Sequence, residues 1–143
     1  MPIKFYKTKE PHGYMSNFYR SRIFLGGKWW ETTEHYYQAM KTKNLDEQEM
    51  VRHAKTPKQA RDLGQTISYD DQFDSRRYSV MKECVLAKFV QHADLRSYLL
   101  ATGDEELIED SPVDYFWGCG ADGSGQNMLG KVLMEIRSEL RND

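Results

Sequence analysis

The sequence predicts an α+β fold dominated by helices. Three observations carry this: a Phe- and Trp-rich stretch near the start broken by a Gly-Gly pair, apolar residues recurring at helical spacing through the second half, and a composition of 39% hydrophobic and 13% aromatic residues that can fill a core. At 143 residues the chain has the length of one ordinary domain. No repeat, low-complexity stretch or linker divides it, so a single domain over residues 1–143 is expected.

The apolar stretches at residues 3–6 and 22–30 read as strands forming a small N-terminal β-sheet, with Gly26-Gly27 as the turn of a two-residue hairpin. Thr32 or Thr33 can then cap a helix that begins EHYYQAMK and carries Tyr36, Ala39 and Met40 on one side. Short helices are expected around residues 46–54 and 57–63, the second with Pro57 in its first turn and Gly64 as its stop. Between residues 75 and 92 the positions Tyr78, Met81, Val85 and Phe89 repeat helically behind Asp74 or Ser75 as cap. Residues 95–100 give another turn or two ended by Gly103, and residues 107–109 a short strand. Leu129, Val132, Leu133, Ile136 and Leu140 form the apolar stripe of a last helix, with Arg137 and Arg141 toward the end where cations suit its dipole.

Charge and cysteine usage narrow the function. Net charge is −2, residues 1–72 hold 12 Lys+Arg against 9 Asp+Glu, and residues 73–143 hold 8 against 13. A dedicated nucleic-acid binder carries a larger basic surplus. Cys84 and Cys119 stand apart without a CxxC and read as ordinary thiols. The opening MPIKFYKTKE has no apolar run of the kind a signal peptide or membrane helix requires, so a cytoplasmic location without a membrane partner is expected. The four histidines are scattered and Glu34-His35 lacks the second histidine of HExxH, so no metal is expected.

Three segments carry candidate chemistry. GQNMLGK at residues 125–131 matches most of a phosphate loop, but Val132 stands where a magnesium-binding hydroxyl belongs. An ordinary capped loop and an anion site at the helix N-terminus both remain open there. Glu34, Tyr37, Gln38 and Lys41 share one face of the EHYYQAMK helix, either as a solvated face or as a chemical one. Near the positive helix end Glu34 serves as negative charge, suited to opposing a ribosyl oxocarbenium ion or activating water. Residues 109–120 pack three acids, three aromatics and two glycines into a structured loop, where Trp117 and Phe116 plug the core or stack on a base beside Asp114.

Five segments in order, HGYMSNF (12–18), WETTEHYYQAMK (30–41), LLATGD (99–104), DSPVDYFWG (110–118) and GQNMLG (125–130), resemble the successive motifs of the YbiA/NADAR family across residues 5–137. The chain departs at Met15 and Tyr78, where the family often carries leucine and tryptophan. The resemblance implies a single YbiA-like domain and a cofactor-independent N-glycosidase. It makes Glu34 the leading catalytic carboxylate and Lys41 either a phosphate ligand or an amine that traps the opened ribose. It also implies that Asn17 and Asp114 orient ribose or base, with Asp114 in the catalytic group, and that Trp30 and Trp117 form stacking walls. Gly118, Asn127 and Gly130 would let backbone approach the substrate, and Phe18 and Tyr37 complete the substrate-binding set. The implied substrate is a phosphoribosylamino-pyrimidine of riboflavin synthesis. ADP-ribose on guanine, with nucleic acid present only as modified substrate, and a non-catalytic ADP-ribose module are the alternatives.

Overall fold

The computed structural model describes all 143 residues, Met1–Asp143. Its contacts fall into two compact units, one made of Met1–Tyr19 with His92–Asp143 and the other of the intervening Arg20–Gln91. The α+β class holds, with six α-helices and four three-residue strands. The strands form two separate pairs: each unit has its own.

In the central unit, β2 (Ile23–Leu25) and β3 (Lys28–Trp30) pair antiparallel with Phe24 opposite Trp29. Gly26 and Gly27 turn the chain at φ 63° and 80°, the left-handed geometry of the favoured hairpin turn, which explains glycine at both positions. Alternation puts Ile23 and Trp30 inside and leaves Phe24 and Trp29 exposed, with the Arg22 guanidinium 4.8 Å over the Trp29 ring. The outer edge of β2 is closed by Gln91, whose amide accepts from the Phe24 N–H and donates to the Phe24 carbonyl, each at 2.8 Å.

Four helices complete this unit: α1 (Thr33–Ala39), α2 (Leu45–Arg52), α3 (Pro57–Gly64) and α4 (Phe73–Gln91). The first three start on side-chain caps, Thr32, Asn44 and Thr56, each accepting the N–H three residues on. The α4 helix starts earlier than the expected Asp74 or Ser75 cap. Asp70 accepts the Gln72 N–H through its carboxylate and the Phe73 N–H through its carbonyl, and this turn lets the helix start at Phe73. On α4 the buried positions include Lys88, 1% exposed, whose ammonium desolvation pushes down to about 7.

His35 ties α1 to the loop after α2. Its Nε2 donates to the Ala54 carbonyl at 3.0 Å, so its Nδ1 accepts from the Thr32 hydroxyl at 2.8 Å, a neutral tautomer in a fully buried ring. Burial lowers its pKa from the ordinary 6.5. The unfolded chain therefore binds the proton first as pH falls, so this contribution is complete above about 6.5 and is lost as pH drops toward the folded value. We expect the thermal midpoint of the wild-type chain to fall on acidification through this window. His35→Gln should show a flatter pH dependence from a lower starting point.

The other unit pairs β1 (Ile3–Phe5) in parallel with β4 (Leu107–Glu109) and adds α5 (Ala93–Ala101) and α6 (Met128–Arg141). The first strand thus finds its partner near the C-terminus. A single 3₁₀ turn, Gly13–Met15, follows β1. On α6 the expected apolar stripe is buried from Leu129 through Leu140, and Arg137, also buried, donates to the Thr102 hydroxyl at 2.8 Å. No helix is long and apolar enough to cross a membrane.

Candidate active site

The helix α1 is buried along its whole length, including Glu34 (7% exposed), Tyr37 (6%) and Gln38 (5%). This removes the solvated-face reading of that pattern. A carboxylate so placed needs donors, and the Gln38 Nε2 supplies one at 2.7 Å from the Glu34 Oε2. Glu34 also lies in the first turn, where the unsatisfied N–H groups of the helix favour negative charge.

Lys41 lies differently from the expectation. The helix ends at Ala39 with Met40 as cap, so Lys41 sits in the following turn and not on the helical face. Its ammonium lies 5.5 Å over the Tyr37 ring of α1. The turn is held from below, where the Asp70 N–H donates to the Lys41 carbonyl at 2.8 Å. Tyr37 in turn packs edge-on against Phe73 at 5.4 Å, and the Arg76 guanidinium stands 5.8 Å over Phe73 while bonding Asp70 at 3.0 Å. The N–H donation from Gln72 first, and then the Arg76 guanidinium, hold the Asp70 carboxyl below its ordinary range.

Phe73 and Arg76 were not among the residues expected at the site. The available signal is electrostatic: Arg76-Arg77 falls in the opening turn of α4, the end of a helix that disfavours cations. Arg76 there is explained by what it faces, an aromatic ring and a carboxylate. Trp30 is core packing in this unit, 3% exposed, edge-on to Tyr36 at 5.1 Å, with its indole N–H donating to the Leu25 carbonyl at 3.0 Å.

The remaining expected residues belong to the other unit. Asn17 is buried and Phe18 half-buried, just after the 3₁₀ turn, where the Phe18 N–H donates to the Ser16 hydroxyl at 3.1 Å. Asp114, Trp117, Gly118, Asn127 and Gly130 meet at the junction of the loop 110–127 with α6. Asp114 Oδ1 accepts from the N–H groups of Phe116 (2.9 Å) and Trp117 (2.7 Å), which folds the loop and turns Trp117 inward to 8% exposure. A Cβ on Gly118 would sit 2.9 Å from the Asp114 carbonyl oxygen and from the Ser111 Cβ.

The same junction decides between the two readings of the phosphate-loop-like stretch. The Asn127, Met128 and Leu129 N–H groups donate to the carbonyls of Gly118, Phe116 and Trp117 at 2.9–3.0 Å. These N–H groups at the start of α6 are therefore spent on the loop, and the stretch is a capped loop. Asn127 itself adopts φ 52°, and its side chain accepts from the Glu109 N–H and donates to the Leu107 carbonyl, each at 2.9 Å, fastening α6 to β4. A Cβ on Gly130 would overlap both the Leu107 carbonyl and the Asn127 amide. Gly130→Ala is expected to cost about 1–3 kcal/mol through this overpacking. A lowered urea midpoint with an unchanged slope is the measurement that reads it.

The NADAR domain family matches residues 4–141. The chain belongs to the NADAR family. It is 46% identical, over 99% of its length and 94% of the relative's, to an N-glycosidase of Nostoc punctiforme. It is 44% identical to a riboflavin biosynthesis protein of Vibrio vulnificus, of which it spans 39%. The NMR structure of the Escherichia coli protein YbiA superposes with a TM-score of 0.91 at 38% identity, covering 99% of this chain and 88% of that one. The activity class of this NADAR chain is accordingly hydrolysis of N-glycosyl bonds.

Proposed function

We propose that this NADAR chain cleaves the bond between ribose and base in a phosphoribosylamino-pyrimidine of riboflavin synthesis, with Glu34 as the reacting carboxylate. The observation that carries the reading is the buried carboxylate itself, hydrogen-bonded by Gln38 and followed by the Tyr37–Lys41 cation–ring pair. As the C–N bond lengthens, positive charge grows on the anomeric carbon and its ring oxygen. A buried carboxylate opposes that charge strongly because little water screens it. Water then adds its oxygen to the anomeric carbon and gives up a proton, and the departing nitrogen gains one.

The ammonium of Lys41 suits either of two tasks beside such a centre, holding the substrate phosphate as a point charge or adding to the opened sugar aldehyde. The phosphoribosyl class is favoured by the small net charge of −2, and by the riboflavin biosynthesis name of the Vibrio relative, which belongs to that protein. Side-by-side turnover on a phosphoribosylamino-pyrimidine and on ADP-ribosylated guanine in DNA tests the reading. Release of the pyrimidine with little action on the DNA is expected. Efficient repair of the DNA with an inert metabolite would replace the proposed substrate by the ADP-ribosyl one.

A further inference from the structure

Leaving a buried acceptor without a hydrogen bond is costly, and the Gln38 Oε1 is such an atom. Its side chain is held by the other end. A carboxylate can only accept, so turning the amide over to relieve the carbonyl would set oxygen against oxygen at the 2.7 Å contact between Gln38 and Glu34. The amide orientation is thus dictated by Glu34 at the expense of Gln38.

The space for that arrangement comes from α3. Gly64, the last residue of that helix, has no side chain to collide with Gln38: a Cβ there would overlap the Oε1, lie 2.8 Å from the Cδ and 3.1 Å from the Gln38 Cβ. The backbone of Gly64 is not in the left-handed region. The requirement for glycine at this position is therefore the slot it leaves, and the Gln38 carbonyl fills it.

We propose that Gln38 is a positioning residue for the Glu34 carboxylate and that Gly64 seats Gln38. This rests on the reading of Glu34 as the reacting group. It makes Gly64, on a different helix, a determinant of turnover acting through Gln38. A hydrogen bond to a charged group is worth about 1.5–3 kcal/mol, so its loss costs turnover about 10- to 100-fold. The substrate site itself is left alone, so KM should hold.

The test uses the full chain and the phosphoribosylamino-pyrimidine or ADP-ribosylated DNA, whichever it turns over. Gln38→Met keeps the volume and removes the donor; kcat should fall about 10- to 100-fold with KM within about twofold. Gly64→Ala should lower kcat by a similar factor, and in a Gln38→Ala background, where the slot is empty, it should lower kcat no further. Wild-type kcat in Gln38→Met overturns the proposal, as do losses from Gly64→Ala and Gln38→Ala that multiply in the double variant. Should Gly64→Ala not fold, as thermal melting would show, Gln38→Met decides alone. Glu34→Gln in the same assay separates the two ideas. If it is active, the reading of Glu34 fails and takes the proposal with it; if it is inactive while Gln38→Met is normal, only the positioning role fails.

Discussion

Glu34→Gln should lower kcat by about 100- to 1000-fold while leaving the fold and substrate affinity in place, the scale of one well-placed electrostatic group, about 2.7–4 kcal/mol. The substitution is nearly isosteric. It keeps an acceptor oxygen for the Gln38 Nε2, so the α1 packing has no reason to change. What it removes is the negative charge, and only the transition state carries the positive charge that this opposes, so the loss belongs in kcat and not in KM. Thermal melting and ligand titration control for fold and affinity. Turnover near wild type in a folded variant would end the assignment of Glu34.

The parts of the fold that rest on local chemistry were legible. Gly26-Gly27 announced the hairpin, Thr32 and Pro57 announced helix starts, and the stripe from Leu129 to Leu140 announced α6, because each depends on neighbours a few residues away. Burial of polar groups was not. Glu34, Tyr37 and Gln38 show the same spacing on a solvated face and on a buried one, and what buries them includes packing from α3 and α4, distant in sequence. Lys88 is the sharper case: nothing in the spacing of Tyr78, Met81, Val85 and Phe89 singles it out, yet the structure buries it fully. The motif GQNMLGK left two readings open for the opposite reason. Its glycines and helix start are real, but the carbonyls of Phe116 and Trp117 that take up the helix N–H groups cannot be assigned to them from spacing.

Lys41 was expected on the helical face and lies in the turn beyond it, and that difference shapes the second large effect expected. A turn position just past the helix end, with the ammonium 5.5 Å over Tyr37, leaves the side chain half-buried and held beside the α1 face. Lys41→Met should lower kcat/KM by at least about 100-fold under either role, since a charge-assisted contact to a phosphate and a covalent amine both vanish. Lys41→Arg separates the roles. An electrostatic ligand tolerates arginine in part, because the charge survives; an amine that adds to the ring-opened sugar aldehyde does not, because the guanidinium stays protonated and is no nucleophile. In the covalent case the lysine nitrogen replaces the aldehyde oxygen with loss of water, and borohydride present during turnover delivers hydride to that imine and fixes the sugar on Lys41. We expect the adduct, found by mass spectrometry on the peptide carrying Lys41, with an inactive arginine variant. An unmodified Lys41 together with an arginine variant that retains activity would assign this side chain to the phosphate instead.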